Sequence, residues 1–260
     1  MDRLILAGVE GPDQTWKLPE SIEGVLKEID QMNTQKEKDI SLVETLRKIL
    51  KDLETHRRTF EYIDPQTGKS TQANIGKFDV QLALSQSFGK ASDLTFIRDA
   101  IQRMDSGDFS LIVSRLMQLQ SWGIGSGMSF AMDCASGISD ERAAKIRQQA
   151  VKTLLGNAID FPFPEICEVW KVPDLGNAFR SPLKSSVSAL FISGTLDARC
   201  PPANAEGVLK NFPNGHHLIV RNAGHSDDLF LSSALILEQM QKFLAGQQDL
   251  LSEIQAPNPF

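Results

Sequence analysis

Apolar residues fall into two rhythms along this chain. Leu4-Ile5-Leu6-Ala7-Gly8-Val9 is a nearly unbroken apolar run, the pattern of a strand buried on both faces of a parallel sheet. Glu10-Gly11-Pro12-Asp13 then reads as a loop. From Pro19 to about His56 the spacing changes to steps of three and four. Ile22, Val25, Leu26, Ile29 and Met32 mark one helix, and Val43, Leu46, Ile49, Leu50 and Leu53 mark another. The polar stretch Asn33–Asp39 separates them, and the interleaved Lys and Glu residues form solvated faces. Arg58–Ile63 and Thr71–Ile75 flank Asp64-Pro65-Gln66-Thr67-Gly68, which predicts a hairpin. Helical spacing resumes at Phe78–Ser87, Asp93–Met104 and Phe109–Gln120. A Gly-rich patch, Gly123-Ile124-Gly125-Ser126-Gly127, comes next, followed by a helix over Asp140–Leu155.

After Arg180-Ser181-Pro182 the rhythm alternates. Val187–Ser193 predicts a strand, Pro202–Asn211 a helix, His217–Arg221 a strand and Asp228–Leu244 a long helix. Strand and helix in turn indicate an α/β unit with parallel strands. Residues 1–9 and 183–247 are therefore expected to form one α/β core, interrupted by a mostly helical insertion over residues 10–182. Residues 248–260 show little periodicity and are expected to be a frayed tail.

Composition narrows the functional classes. The 260 residues are 41% hydrophobic and 23% charged, as in a folded globular protein rather than a disordered one. Twenty-seven basic against 33 acidic residues give a net charge of −6, which argues against a nucleic-acid surface or a polybasic membrane anchor. No apolar run approaches the ~18 residues of a membrane helix, and no signal-type segment is predicted at the start. Cys134, Cys167 and Cys200 match no zinc spacing. Three reduced thiols and one Cys134–Cys167 bridge beside a free thiol are both compatible with the sequence. No metal set or cofactor is implied.

Two loops directly after the C-terminal strands carry candidate chemistry. One is Ser193-Gly194-Thr195-Leu196-Asp197-Ala198-Arg199-Cys200-Pro201, and the other is Asn222-Ala223-Gly224-His225-Ser226-Asp227. The carboxyl ends of parallel strands are where α/β sheets place ligands and catalysis. Taken alone, Asp197 is an ordinary helix-capping candidate and His225 an ordinary loop histidine. Together they fit an acid that orients an imidazole acting as general base. His216 and His217 are adjacent on one strand, so they point to opposite faces and cannot share a metal.

These segments resemble the C-terminal two-thirds of an α/β-hydrolase of the tripeptidyl-aminopeptidase and proline-iminopeptidase (TAP-like) type. The resemblance rests on Leu6-Ala7-Gly8-Val9-Glu10-Gly11-Pro12-Asp13, on Asp174-Leu175-Gly176 with Phe179-Arg180, and on the two loops. It implies an α/β fold with a helical cap and makes Asp197 and His225 the acid and histidine of a Ser-Asp-His triad. It also implies a peptide or small acyl substrate. The family's Gly-x-Ser-x-Gly elbow and its oxyanion loop are not found in the chain. The expectation is a chain lacking the N-terminal third, inactive alone, and either a remnant, a half completed in trans, or a protein that self-associates through an exposed sheet edge. The nearest internal substitute is Ser129 in Gly127-Met128-Ser129-Phe130-Ala131, with Ser126 weaker. An amphipathic helix precedes both where an elbow needs a strand.

Overall fold

The apolar run at the start pairs as its pattern predicts. In a computed structural model that describes residues 2–34, 41–64, 67–122 and 127–260, strand β1 (Arg3–Ala7) leads into helices α1 (Pro19–Thr34) and α2 (Leu42–Leu53). A hairpin of β2 (Arg58–Ile63) and β3 (Ser70–Ile75) follows. Next come α3 (Lys77–Ser85), α4 (Leu94–Asp105), α5 (Ser110–Trp122), α6 (Gly127–Ser136), α7 (Asp140–Ala150), α8 (Glu165–Trp170) and the short α9 (Gly176–Phe179). The chain then alternates β4 (Ser188–Gly194), α10 (Pro202–Leu209), β5 (Gly215–Arg221), α11 (Asp228–Leu231), α12 (Ala234–Leu244) and β6 (Glu253–Gln255). Parts of the Asn33–Asp39 spacer, the hairpin turn and the Gly-rich patch, including Ser126, lie outside the described residues.

The main sheet runs β1-β4-β5-β6, and every neighbouring pair is parallel. The mixed α/β class expected from the sequence is the class observed. Its central strand β4 is buried along nearly its whole length, as its apolar run requires. One face packs Leu190, Ile192, Leu218 and Val220 against α12 through Ile236 and Phe243. The other packs Ala189 and Phe191 against Ala205 of α10 and Phe212. A separate apolar core joins α1–α5 with the hairpin, and Leu196 and Ala198 from the loop after β4 insert into it.

Three details depart from the sequence reading. Residues 248–260 are not a frayed tail: β6 pairs with β5, Ile254 and Ala256 are buried, and Phe260 packs on the helical core with Arg98 over its ring. The expected helix over Asp228–Leu244 is two helices, because Ser233 takes an extended conformation and its hydroxyl caps α12 at Leu235 N. The helix expected over Asp140–Leu155 ends at Ala150.

Cys134 of α6 and Cys167 of α8 are joined by a disulfide, which settles the alternatives left open by the sequence. Phe130, Trp170, Phe163 and Trp16 form an aromatic chain beside it. The bridge closes a segment with a sequence separation of 33. Converting both cysteines to serine should lower stability by about 2–4 kcal/mol through the regained freedom of the unfolded chain. Chemical denaturation of the variant against the oxidised protein checks this, and a change below about 0.5 kcal/mol would refute it.

Candidate functional site

Parallel strands deliver their carboxyl ends to one edge of a sheet, and here β1, β4 and β5 all do so. The turn after β4 is fixed by short backbone bonds to the turn after β5. Thr195 N donates to Val220 O, and Leu196 N donates to Ala223 O at 2.9 Å. Gly194 permits this approach, since a Cβ there would overlap the Ala223 carbonyl. Asn222 N donates to the Thr195 hydroxyl, so the two loops are cross-linked before any functional side chain is considered.

Asp197 sits at the centre of this arrangement and is fully buried. Its Oδ1 accepts from the backbone N–H groups of Arg199 at 3.0 Å and Cys200 at 2.8 Å. Its Oδ2 lies 2.9 Å from Nδ1 of His225. The structure thus brings the two sequence-predicted residues together. With Nδ1 engaged by the carboxylate, Nε2 is left free for another group, and His225 makes no further side-chain hydrogen bond among the described residues. The imidazole retains 28% side-chain exposure while its partner has none. This is the asymmetry of a buried orienter and a base that a substrate can reach.

The insertion holds the pair from the other side. Arg199 Nε donates to Phe88 O, and His225 N donates to Gly89 O. Asp228 accepts from both Gly224 N and Ala91 N. Gly224 allows this contact, because a Cβ there would stand 2.5 Å from Gly89 O. Lys90 and Asp227 add an ion pair at 2.5 Å.

His216, His217 and Ser129 do not join this site, and Cys200 lies in it without acting as a nucleophile. His216 bonds to Leu251 O and His217 to the Ser193 hydroxyl, on opposite faces of β5. Ser129 is exposed on α6, a helix tied to α8 by the disulfide, and no strand leads into it among the described residues. Cys200 is free and buried, next to the acid. Burial, with the charges of Asp197 and Glu10, pushes its thiol well up, so it remains protonated and is a poor nucleophile.

Residues missed in the sequence surround the loop after β1. Glu10 pairs with Lys17 and lies 3.7 Å from Cys200 Sγ. Lys17 N donates to Asp160 Oδ1 at 2.8 Å. Asp160 is buried, its Oδ2 has no hydrogen-bond partner, and burial pushes its pKa up to about 7. The signal for Glu10 was its position at the carboxyl end of a third parallel strand. Nothing local marked Asp160.

Residues 156–248 match the family model described as TAP-like protein, a family of α/β-hydrolases. The curated proteins contain no match to the chain. No helix among the described residues is long and apolar enough to cross a membrane.

Asp160 provides a pH test. Its folded pKa of about 7 lies above the ordinary aspartate value, so the folded state holds a proton that the unfolded chain has released. The stability associated with that proton is fully present below about pH 4 and is lost as pH rises through 7. Asp160→Asn should therefore raise the melting temperature more at pH 8 than at pH 5, measured by scanning calorimetry. An equal effect at both values would contradict the assignment.

Proposed function

Because residues 156–248 belong to the TAP-like α/β-hydrolases, we propose that this chain supplies the acid and histidine of a serine hydrolase acting on acyl bonds. The reaction is of the aminopeptidase kind, releasing residues or short peptides from N-termini. His225 is the general base and acid, and Asp197 orients it and stabilises its protonated form. The observation that carries the reading is the 2.9 Å contact between Asp197 and His225 Nδ1 at the ends of neighbouring parallel strands.

The serine and the oxyanion donors belong, in this proposal, to a strand-bearing segment that pairs alongside β1. The edge of β1 that no strand pairs among the described residues supports it. Gly8 N donates to Ile192 O, so alternation directs the backbone groups of Arg3, Ile5 and Ala7 away from β4. Leu4, Leu6 and Val9 pack on one face and Ile5 and Ala7 on the other, yet all five strand residues are only half-buried. An apolar parallel strand with one free edge is a template for another strand.

Fluorophosphonate labelling tests both parts. The purified chain alone should neither be labelled nor hydrolyse aminoacyl or peptidyl chromogenic substrates. The complex purified through this chain should be labelled on a serine of the associated segment. Within that complex, Asp197→Asn should reduce turnover by about 10⁴-fold. Stoichiometric labelling of Ser129 would replace the second segment with an internal nucleophile. A complex that is never labelled and never turns over substrate would leave a non-catalytic remnant and overturn the hydrolase reading.

A further inference from the structure

We infer that Asp197, Cys200 and His225 together form a binding site for one thiophilic divalent cation of the zinc class. Each residue offers one ligand atom, and these atoms all lie within 4.8 Å of one another. Around a tetrahedral zinc ion with bonds of roughly 2.0–2.3 Å, neighbouring ligand atoms stand about 3.3–3.8 Å apart. The 2.9 Å Asp197–His225 pair has to open slightly and the sulfur has to move in by up to about 1.5 Å. Thiolate, imidazole and carboxylate are the donors that zinc and its softer neighbours take, and that magnesium or calcium does not favour.

The surroundings favour a dication there. Asp197 Oδ1 is held by the N–H groups of Arg199 and Cys200, which fixes the carboxylate and leaves Oδ2 for the metal. Glu10 Oε1 lies 3.7 Å from the sulfur but is paired with Lys17, so the three clustered side chains are the protein ligands and water takes the fourth position. On binding, the Cys200 S–H bond breaks, a sulfur–metal bond forms, and the proton leaves to solvent. Nδ1 of His225 gives up its position against Asp197 to the metal, and the imidazole carries its proton on Nε2. The partly exposed His225 ring provides the entry side.

The bound ion replaces the hydrogen bond that orients His225, so the site is a metal-operated off switch. That consequence rests on the hydrolase reading above; the binding itself does not. Isothermal titration of the tag-free protein with zinc chloride, and absorption spectroscopy with cobalt(II), test the binding without any substrate. The expected result is one zinc per chain and a cobalt–thiolate charge-transfer band. Cys200→Ala should weaken zinc at least about tenfold and abolish the band, while His216→Ala should change neither. If Cys200→Ala fails to fold, Cys200→Ser, which preserves the side-chain shape, gives the same readout. Absence of zinc binding, zinc affinity unchanged in the Cys200 variants, or a cobalt spectrum without the thiolate band overturns the inference. None of these results depends on whether the chain is labelled by a fluorophosphonate.

Discussion

A carboxylate with no solvent exposure has to find its hydrogen bonds inside the protein, and the site is arranged around that requirement. Asp197 meets it with two backbone N–H groups from its own turn and the imidazole of His225. The turn folds into this shape because Leu196 and Ala198, on either side of the acid, are buried in the helical core. Apolar burial of a few kcal/mol per side chain therefore holds an ionisable group where it would otherwise be costly. The same insertion links the sheet to the helices above it. Movement of the helical layer would disturb the acid loop, and Arg199, Gly224 and His225 meet residues 88–91 for the same reason.

Asp160 shows the alternative outcome. It is nearly as buried, but it has one backbone donor at Oδ1 and none at Oδ2. One hydrogen bond does not offset the desolvation of a charge, so the group retains its proton near neutrality. The number of donors, rather than the depth of burial alone, separates a carboxyl group built to be a fixed acceptor from one that is merely enclosed.

Much of the fold and the central pair of the site were legible in the sequence, because both depend on local patterns. The runs Val187–Ser193 and His217–Arg221 are too apolar and too β-branched for exposed loops, and α1 and α2 keep three- and four-residue spacing. Asp197 and His225 were found because each follows such a strand. What escaped the sequence depends on long-range contact. β6 has one buried residue, Ile254, too little to signal a strand without β5 beside it. The break before α12 turns on a single serine cap. Cys200 stands three residues from Asp197, but its neighbours Glu10 and His225 reach it only through the parallel alignment of β1 and β5 on either side of β4.

That alignment places two carboxyl groups and an imidazole around one sulfur, and it also explains why the sulfur is quiet. A cysteine becomes a nucleophile when nearby positive charge or exposure favours its thiolate. Cys200 meets the opposite conditions, with carboxylates at both sides and little solvent. The imidazole that could take its proton is already committed through Nδ1 to Asp197. Selection of the reactive group is therefore electrostatic. His225 is the one member of the cluster with an uncommitted nitrogen on a partly exposed ring, and any group that approaches Nε2 from solvent meets a base whose tautomer has been fixed from below.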